Sequence, residues 1–437
     1  MKIAILGFAG QGQSAYEYWD TPDNEITVCD RDTSINLPSK VDSQLGDDYL
    51  KGLDKFDLLI RTPILHPRDI IAANPEAPNI LEKVWSNTNE FMKVCPSRNI
   101  IGVTGTKGKG TTSTLITKML EAAGKRVHLG GNIGIPPLEL LKDNIQPDDW
   151  VVLELANFQL IDLKTSPHIA VCLMVEPEHM DWHEDVEEYI AAKQQLFINQ
   201  KSDDIAIYYS KNENSESVAN ASLGELIPYF ERPGAAVEQG VITIDDQGIC
   251  RTEELKLLGE HNWQNVCAAT TAVWQIVHDT AAIKSTLTSF GGLPFRIELR
   301  GTKNGVSYYN DSFATGPGAA RAAIAAVPGM KVMIIGGYDR GLDLSELAET
   351  LMEYKDAVRK VVLIGASADR TAETLQKSGF TNFMLCPDKS MDGIVRTATG
   401  QAEPGDAVVL SPAFASFDLF KNFEDRGNQF NQAIAKL

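Results

Sequence analysis

Ile100-Ile-Gly-Val-Thr-Gly-Thr-Lys-Gly-Lys-Gly-Thr-Thr112 decides the reading of this chain. An apolar run of the kind that forms a buried strand enters a glycine-rich turn, and a helix-like pattern follows. Glycines let backbone N–H groups close around phosphate oxygens, and the start of a helix adds a partial positive charge. Lys109 would neutralise the β- and γ-phosphates of a nucleotide, and Thr111 or Thr112 could offer a hydroxyl to Mg²⁺. The strict nucleotide-loop spacing has a glycine five residues before the Gly-Lys pair, where this chain has Val103. The loop is a tighter variant, Gly105-Thr106-Lys107-Gly108-Lys109. A ligand-free glycine turn is the alternative. Strand, loop, lysine and threonine pair occurring together favour nucleotide binding.

Outward from this loop, strand-like runs alternate with helical patterns. Residues 2–8, 25–30 and 57–62 read as strands of a first unit. Residues 100–104, 150–155, 169–175 and 205–209 read as strands of a second, and 259–280 as a helix. After Gly291-Gly292-Leu293-Pro294, a strong breaker and hinge candidate, strands are expected near 306–310, 331–335, 360–364 and 407–410. This alternation predicts α/β domains with largely parallel sheets, divided near 95 and 295.

A chain of 437 residues is long enough for two or three cores. Its formal charge is −19, with 59 acidic against 40 basic residues, which disfavours a nucleic-acid partner. No run of about 18 apolar residues marks a membrane span. The start, Met1-Lys-Ile-Ala-Ile-Leu-Gly7, reads as a first strand, not a signal peptide. Six cysteines without paired spacing read as reduced core residues of a cytoplasmic protein. A soluble monomer is expected.

Further candidates sit at the ends of apolar runs, where strands of open α/β sheets line a ligand crevice. Glu154 ends Val151-Val-Leu-Glu-Leu155; it is a metal-ligand candidate or an exposed strand-end acid. Val175-Glu-Pro-Glu-His-Met-Asp-Trp-His183 clusters acids with two histidines. His179 could meet Mg²⁺ or substrate, or be merely solvated. Lys193, in a helical stretch, reads by itself as a surface lysine. Gly7 to Gly12 with Asp30 gives an irregular dinucleotide-type pattern that suggests a phosphate at a helix start, or a plain turn. In the third unit, Asn310-Asp-Ser-Phe-Ala-Thr315, Gly336-Gly-Tyr-Asp-Arg-Gly341 and Leu410-Ser-Pro-Ala-Phe-Ala-Ser-Phe-Asp418 each follow a strand. Three such loops on neighbouring strand ends would converge on a second ligand site.

Taken in order, these motifs resemble those of the Mur ligases, the ATP-dependent amide ligases of the peptidoglycan stem peptide. The resemblance covers essentially the whole chain. It is carried by Gly105–Lys109, Gly130-Gly-Asn-Ile-Gly134, Glu154-Leu-Ala-Asn-Phe-Gln-Leu160, Glu178-His-Met-Asp181 and Ala191-Ala-Lys193. It continues through Gly259-Glu-His-Asn-Trp-Gln-Asn265, Gly292-Leu-Pro-Phe-Arg296, Asn310-Asp-Ser312 and Ser411–Asp418. Phe420-Lys-Asn-Phe-Glu-Asp-Arg-Gly427 is similar to the D-glutamate-adding branch. The resemblance implies three domains: a Rossmann-like N-terminal one (1–95) for a UDP substrate, a central P-loop ATPase-type parallel-sheet one (96–295), and a Rossmann-like C-terminal one (296–437) for glutamate.

The implied substrates are UDP-N-acetylmuramoyl-L-alanine, ATP and glutamate, with Mg²⁺ as cofactor. By resemblance, Gly105 to Thr112, with Asn262, Asn265, Arg296 and Asp311, would hold ATP. Glu154, His179 and Lys193 would serve Mg²⁺, Lys193 matching a family lysine that is carbamylated. Gly10, Gln11, Asp30, Arg31 and Asn132, with His179, would bind the UDP substrate. Thr315, Arg340, Ser416 and Phe423 would receive glutamate.

Four departures stand out. Gly110 replaces the usual Ser or Thr after the loop lysine, as in folylpolyglutamate synthases, which moves the expected metal contact to Thr111. Phe313 stands where the glutamate-adding enzymes commonly carry Lys, and Arg340 where the family usually has Lys. Ala156-Asn157 replaces Ser-Ser. An L-glutamate-adding variant, a folate-type ligase and a non-catalytic nucleotide-binding module are the alternatives. The N-terminal unit argues against the folate type, and the retained Lys109, Glu154, His179 and Lys193 argue against the last.

Overall fold

The computed structural model of the chain describes residues 1–132 and 134–437. Its contacts divide the chain into two units: Met1–Glu254 with Trp263–Thr288, and Leu255–Asn262 with Ser289–Leu437.

The first unit contains three sheets. Strands β1 (Lys2–Leu6), β2 (Glu25–Asp30), β3 (Asp42–Leu45), β4 (Leu58–Arg61) and β5 (Val84–Trp85) form a parallel sheet in the order 3-2-1-4-5. The order reverses beside β1, so the loop after β1 lies at the crevice such a reversal creates. Strands β6 (Ile100–Thr104), β7 (Val127–Gly131), β8 (Trp150–Glu154), β9 (Ile169–Cys172), β10 (Ile205–Tyr209) and β11 (Glu225–Tyr229) form a second parallel sheet in the order 11-10-9-6-8-7. The glycine loop leaves β6 between β8 and β9, and Glu154 ends β8. A small antiparallel sheet, β12 (Ala236–Glu238), β13 (Val241–Ile244) and β14 (Gln247–Arg251), follows. Its two turns, Gln239-Gly240 and Asp245-Asp246, have positive φ at both residues, the hairpin geometry that matches strand twist.

The second unit has one six-stranded sheet: β15 (Glu298–Lys303), β16 (Val306–Asn310), β17 (Lys331–Gly336), β18 (Val358–Ile364), β19 (Phe383–Leu385) and β20 (Ala407–Leu410), ordered 15-16-20-17-18-19. All pairs are parallel except β15 with β16. Alternate residues feed opposite cores. Met333 and Ile335 pack with Val409 on one face; Val332 and Ile334 pack with Val408 and Leu410 on the other. Both faces are therefore covered by helices, which explains the continuous apolar runs. Truncating one such side chain to Ala costs about 2–5 kcal/mol.

In the first unit one core runs from Ile3 and Ile5 of β1 through Phe91 to Leu153 of β8. Arg61, fully buried at the end of β4, adds a polar weld. Its Nε and Nη2 each lie 2.7 Å from the Asp162 carboxylate, and Nη2 also donates to Phe158 O at 3.0 Å. All six cysteines are free and buried. Among the described residues, no helix is long and apolar enough to cross a membrane.

The expected strands are present with trimmed ends: β9, for instance, stops at Cys172 and not at 175. The expected helix 259–280 spans His261–Trp274. Edge strands β3, β5, β7, β11 and β19, the antiparallel trio and β15 were not foreseen. β11 even carries Pro228, which an edge strand tolerates.

Candidate active site

The first unit gathers the glycine loop, Glu154 and Lys193. The loop enters helix Lys109–Ala122 with Gly108 at φ +89° as its cap. Gly105 sits at φ +142°, and a Cβ there would stand 2.6 Å from Leu173 Cβ, so only glycine fits. Thr106 anchors the loop to the segment after β9: its hydroxyl bonds Glu176 O and Tyr189 Oη at 2.8 Å each. Lys107 is exposed. Lys109 Nζ donates to Gly105 O at 3.0 Å and Thr106 O at 2.9 Å. Gly110 is buried, and Thr112 is buried with its hydroxyl 3.4 Å from Asn265 Oδ1. Thr111 is half-buried.

Lys193 is the largest departure from the residue-by-residue reading. It is not a surface lysine but 1% exposed. Its Nζ donates to Gly105 O at 3.1 Å and lies 4.4 Å from the Tyr189 ring centre. Burial, and then the charge of Lys109, push its pKa down to about 7. Both effects favour the neutral, nucleophilic amine. The helical spacing of four residues puts Tyr189 and Lys193 on one face, a signal the sequence carried.

Glu154 is 5% exposed, and Asn132 Nδ2 donates to its Oε1 at 3.0 Å. No ion pair to Glu154 is found among the described residues. His179 is exposed at φ +61°, its ring 4.8 Å from that of Phe158. Nearby, buried His183 and His66 both face Glu188. Burial lowers the pKa of both imidazoles. Burial would raise Glu188, but hydrogen bonds from Glu184 N–H and His183 outweigh it and hold the carboxyl below its usual range.

At the N-terminal sheet, Asp30 Oδ2 accepts Phe8 N–H at 2.7 Å, and its Oδ1 accepts Asp32 N–H at 2.9 Å. Gly10 starts helix Gly10–Trp19, which has no side-chain cap. Arg31 is exposed, 3.9 Å from Asp47. Asn87 Nδ2 donates to Gln11 O at 2.8 Å, and a small cavity is lined by Gln11, Arg61, Asn87, Thr88 and Gln159.

In the second unit, three loops are tied pairwise. Arg340, exposed, donates to Thr315 O at 2.7 Å, joining the loops after β16 and β17. Tyr338 N–H donates to Ala415 O at 2.9 Å, joining β17 to β20. Arg426, fully buried, donates to Ser312 Oγ, Ser312 O and Phe414 O, joining β16 to β20. Ser416 is buried and Phe423 opens helix Phe423–Ala435, whose Phe423 O accepts from Ser312 Oγ at 2.8 Å. Asp311 is 5% exposed, with Ser411 Oγ donating at 2.6 Å and Ile297 N–H at 3.2 Å. Burial raises its pKa to about 7 against those bonds and the charges of Arg296 and Arg426. The Arg296 guanidinium lies 4.0 Å over the ring of Phe313. Asn262 Nδ2 donates to Leu258 O at 2.7 Å.

Residues 103–273 match the family described as Mur ligase middle domain, and 295–414 that described as Mur ligase, glutamate ligase domain. A protein of Acetivibrio thermocellus named UDP-N-acetylmuramoylalanine--D-glutamate ligase is 35% identical, the match covering 100% of this chain and 96% of that protein. The chain belongs to the Mur ligase family. A protein of the same name from Clostridium kluyveri is 35% identical over 90% of the chain and 86% of its own length. Among solved structures, the MurF ligase of Thermotoga maritima in complex with ADP shares the fold at TM-score 0.60 and 16% identity, covering 99% of this chain and 94% of its own. E. coli FolC in complex with DHPP and ADP does so at TM-score 0.56 and 18% identity, covering 80% and 92%.

In this Mur ligase, Glu154 at the end of β8 and Thr111 in the first turn of helix Lys109–Ala122 have the donor chemistry that a hard divalent cation takes. A buried carboxylate without an ion pair and a half-buried hydroxyl are oxygen donors of the required kind. Tyr189, Glu188 and Arg426 were not marked out by the sequence. All three lie inside motifs already quoted or one helical turn from them.

Proposed function

We propose that this chain is an ATP-dependent ligase that joins D-glutamate to UDP-N-acetylmuramoyl-L-alanine. The match over its whole length to relatives bearing that name carries the reading. Buried Lys193 beside Lys109 and the glycine loop supports it. We assign 1–95 to the UDP substrate, 96–295 to ATP and 296–437 to glutamate, in a monomer working in the cytoplasm, where ATP is available.

Lys109, with the N–H groups of Gly105 to Thr112, would grip the phosphates. Asn262, Asn265, Arg296 and Asp311 would bind the rest of the nucleotide. Gly10, Gln11, Asp30, Arg31 and Asn132 would hold the UDP substrate. Glu154, His179, Thr111 and carbamylated Lys193 would hold Mg²⁺. When bound, Mg²⁺ would neutralise charge on the transferring phosphoryl group. The neutral Lys193 amine would form an N–C bond to CO₂ and release one proton to solvent, turning a neutral amine into a carbamate anion.

The alanyl carboxylate oxygen then attacks the γ-phosphorus, and ADP leaves with the P–O electron pair. Lys109 stays on the phosphoryl oxygens through this in-line transfer. The deprotonated glutamate amine attacks the acyl carbon, the C–O bond to phosphate breaks, and phosphate departs. Thr315, Arg340, Ser416 and Phe423 would orient glutamate, the Arg340 guanidinium gripping a carboxylate with two N–H groups.

The test is phosphate release with UDP-N-acetylmuramoyl-L-alanine, ATP and either glutamate isomer. Release with D-glutamate alone is expected. Release with neither isomer sinks the ligase reading, and release with L-glutamate alone replaces the amino-acid assignment.

A further inference from the structure

Glu188 has none of the roles given above, yet three segments of the first unit meet on it. It lies in the first turn of helix Val186–Gln194, which carries Lys193. Its Oε2 accepts Glu184 N–H at 2.9 Å and lies 3.1 Å from His183 Nδ1. Its Oε1 lies 3.3 Å from His66 Nε2. The three ligand-type atoms stand within 4.8 Å of one another, as in a metal site. Their lone pairs argue otherwise. His66 Nδ1 accepts Arg68 N–H at 3.1 Å, so Nε2 carries the imidazole proton. An ionised carboxylate only accepts, so His183 Nδ1 carries its proton too, and Nε2 meets Asn157 Nδ2 at 2.7 Å. Two hydrogen bonds therefore close on Oε2, while His66 Nε2 faces Oε1 without a hydrogen bond of its own; the cluster is a polar knot centred on Glu188.

The knot reaches His179. Trp182 packs on His66 with ring centres 4.2 Å apart and on Phe158 at 4.8 Å, and Phe158 meets the His179 ring at 4.8 Å. Trp182 Nε1 donates to Ile64 O at 2.8 Å, and Arg68 donates to Trp182 O. His179 at φ +61° is in a region a non-glycine residue holds only when its neighbours fix it.

We propose that Glu188 is a positioning residue that sets the spacing of His179 from Lys193, and thereby the affinity of the site for a divalent cation. This rests on the ligand roles proposed above for those two residues. Mn²⁺ binding in the presence of ADP, read by electron paramagnetic resonance, tests it. Glu188→Gln puts an amide N–H against an imidazole N–H and should weaken Mn²⁺ about tenfold, with metal-free ADP affinity unchanged. Glu188→Asp should recover part of the loss. Equal Mn²⁺ affinity in wild type and Glu188→Gln overturns the proposal, as does an equal loss of metal-free ADP binding. Should Glu188→Gln not fold, Trp182→Phe removes the Ile64 hydrogen bond; unchanged Mn²⁺ affinity in that variant also overturns it. A wild type without glutamate-dependent phosphate release, but with Glu188-dependent Mn²⁺ affinity, would sink the ligase reading and keep the positioning role.

Discussion

In the first unit, the elements around the glycine loop bury Glu154 and Lys193 with no ion pair to either among the described residues. In the second, the loops after β16, β17 and β20 fix their charges in closed sets: Arg370 on both oxygens of Asp339 at 2.6 and 2.7 Å, Arg426 on Ser312 and Phe414, Asp311 on Ser411. Arg340 is exposed at the edge of this frame, tied to it through Thr315 O. The same parallel-sheet plan thus serves two ends. A buried charge met by a single neutral hydrogen bond, as Lys193 is by Gly105 O and Glu154 by Asn132, is costly unless a ligand or a chemical change completes it. A satisfied frame instead holds the exposed Arg340 guanidinium in a fixed place, and in the function proposed above that guanidinium would meet the glutamate carboxylate.

Lys193→Ala is the strongest way to break this contrast. It should lower turnover about 10²–10³-fold, the size of losing one charge-stabilising group, and added formate or acetate should partly restore it. Full unaided turnover would show that the buried amine is scaffold only. Arg340→Ala tests the other side. The KM for glutamate should rise about 10–100-fold, the worth of a charged hydrogen-bonded contact, while the KM for ATP stays put. A matching rise in both would mean that the frame itself had loosened.

The smallest effect sharpens the picture within the second unit. Asp311 has its pKa raised to about 7. Its stabilising contribution is greatest below the pKa it has when unfolded and is lost as pH rises through the folded value. Asp311→Asn does not titrate. Its melting temperature relative to wild type should therefore climb between pH 5 and pH 8, by at least about 2 °C. A constant gap would mean that the carboxylate stays ionised and fully compensated.

Much of this was legible in the sequence where one residue type has one physical use. The Ile100–Thr104 run, buried on both faces, and Gly105 against Leu173 could take few other side chains. Strand-end polar residues such as Glu154 and Asp311 were legible for the same reason. The antiparallel trio was not, because its turns are Gln-Gly and Asp-Asp and lack the usual Asn-Gly signal. Edge strand β3 (Asp42–Leu45) is too polar and short to announce itself. The four-residue spacing puts Lys193 on the face of Tyr189, but its burial needs the loop after β6 to close over that face, a tertiary fact that the spacing does not encode. Phe313, a missing charge in sequence, is in space a platform for Arg296.

The six buried thiols give the molecule a clock. Burial raises the pKa of Cys29 to about 12 and those of Cys172 and Cys250 to about 11, and raises Cys95 and Cys267 as well. A shielded, protonated sulfur does not react with an alkylating reagent. Each label gained therefore records one opening event. Cys29 times the N-terminal sheet, Cys172 the second sheet beside the glycine loop, Cys250 the hairpin trio, and Cys386 the second unit. The order in which peptides gain mass would rank the sheets by how often each one breathes.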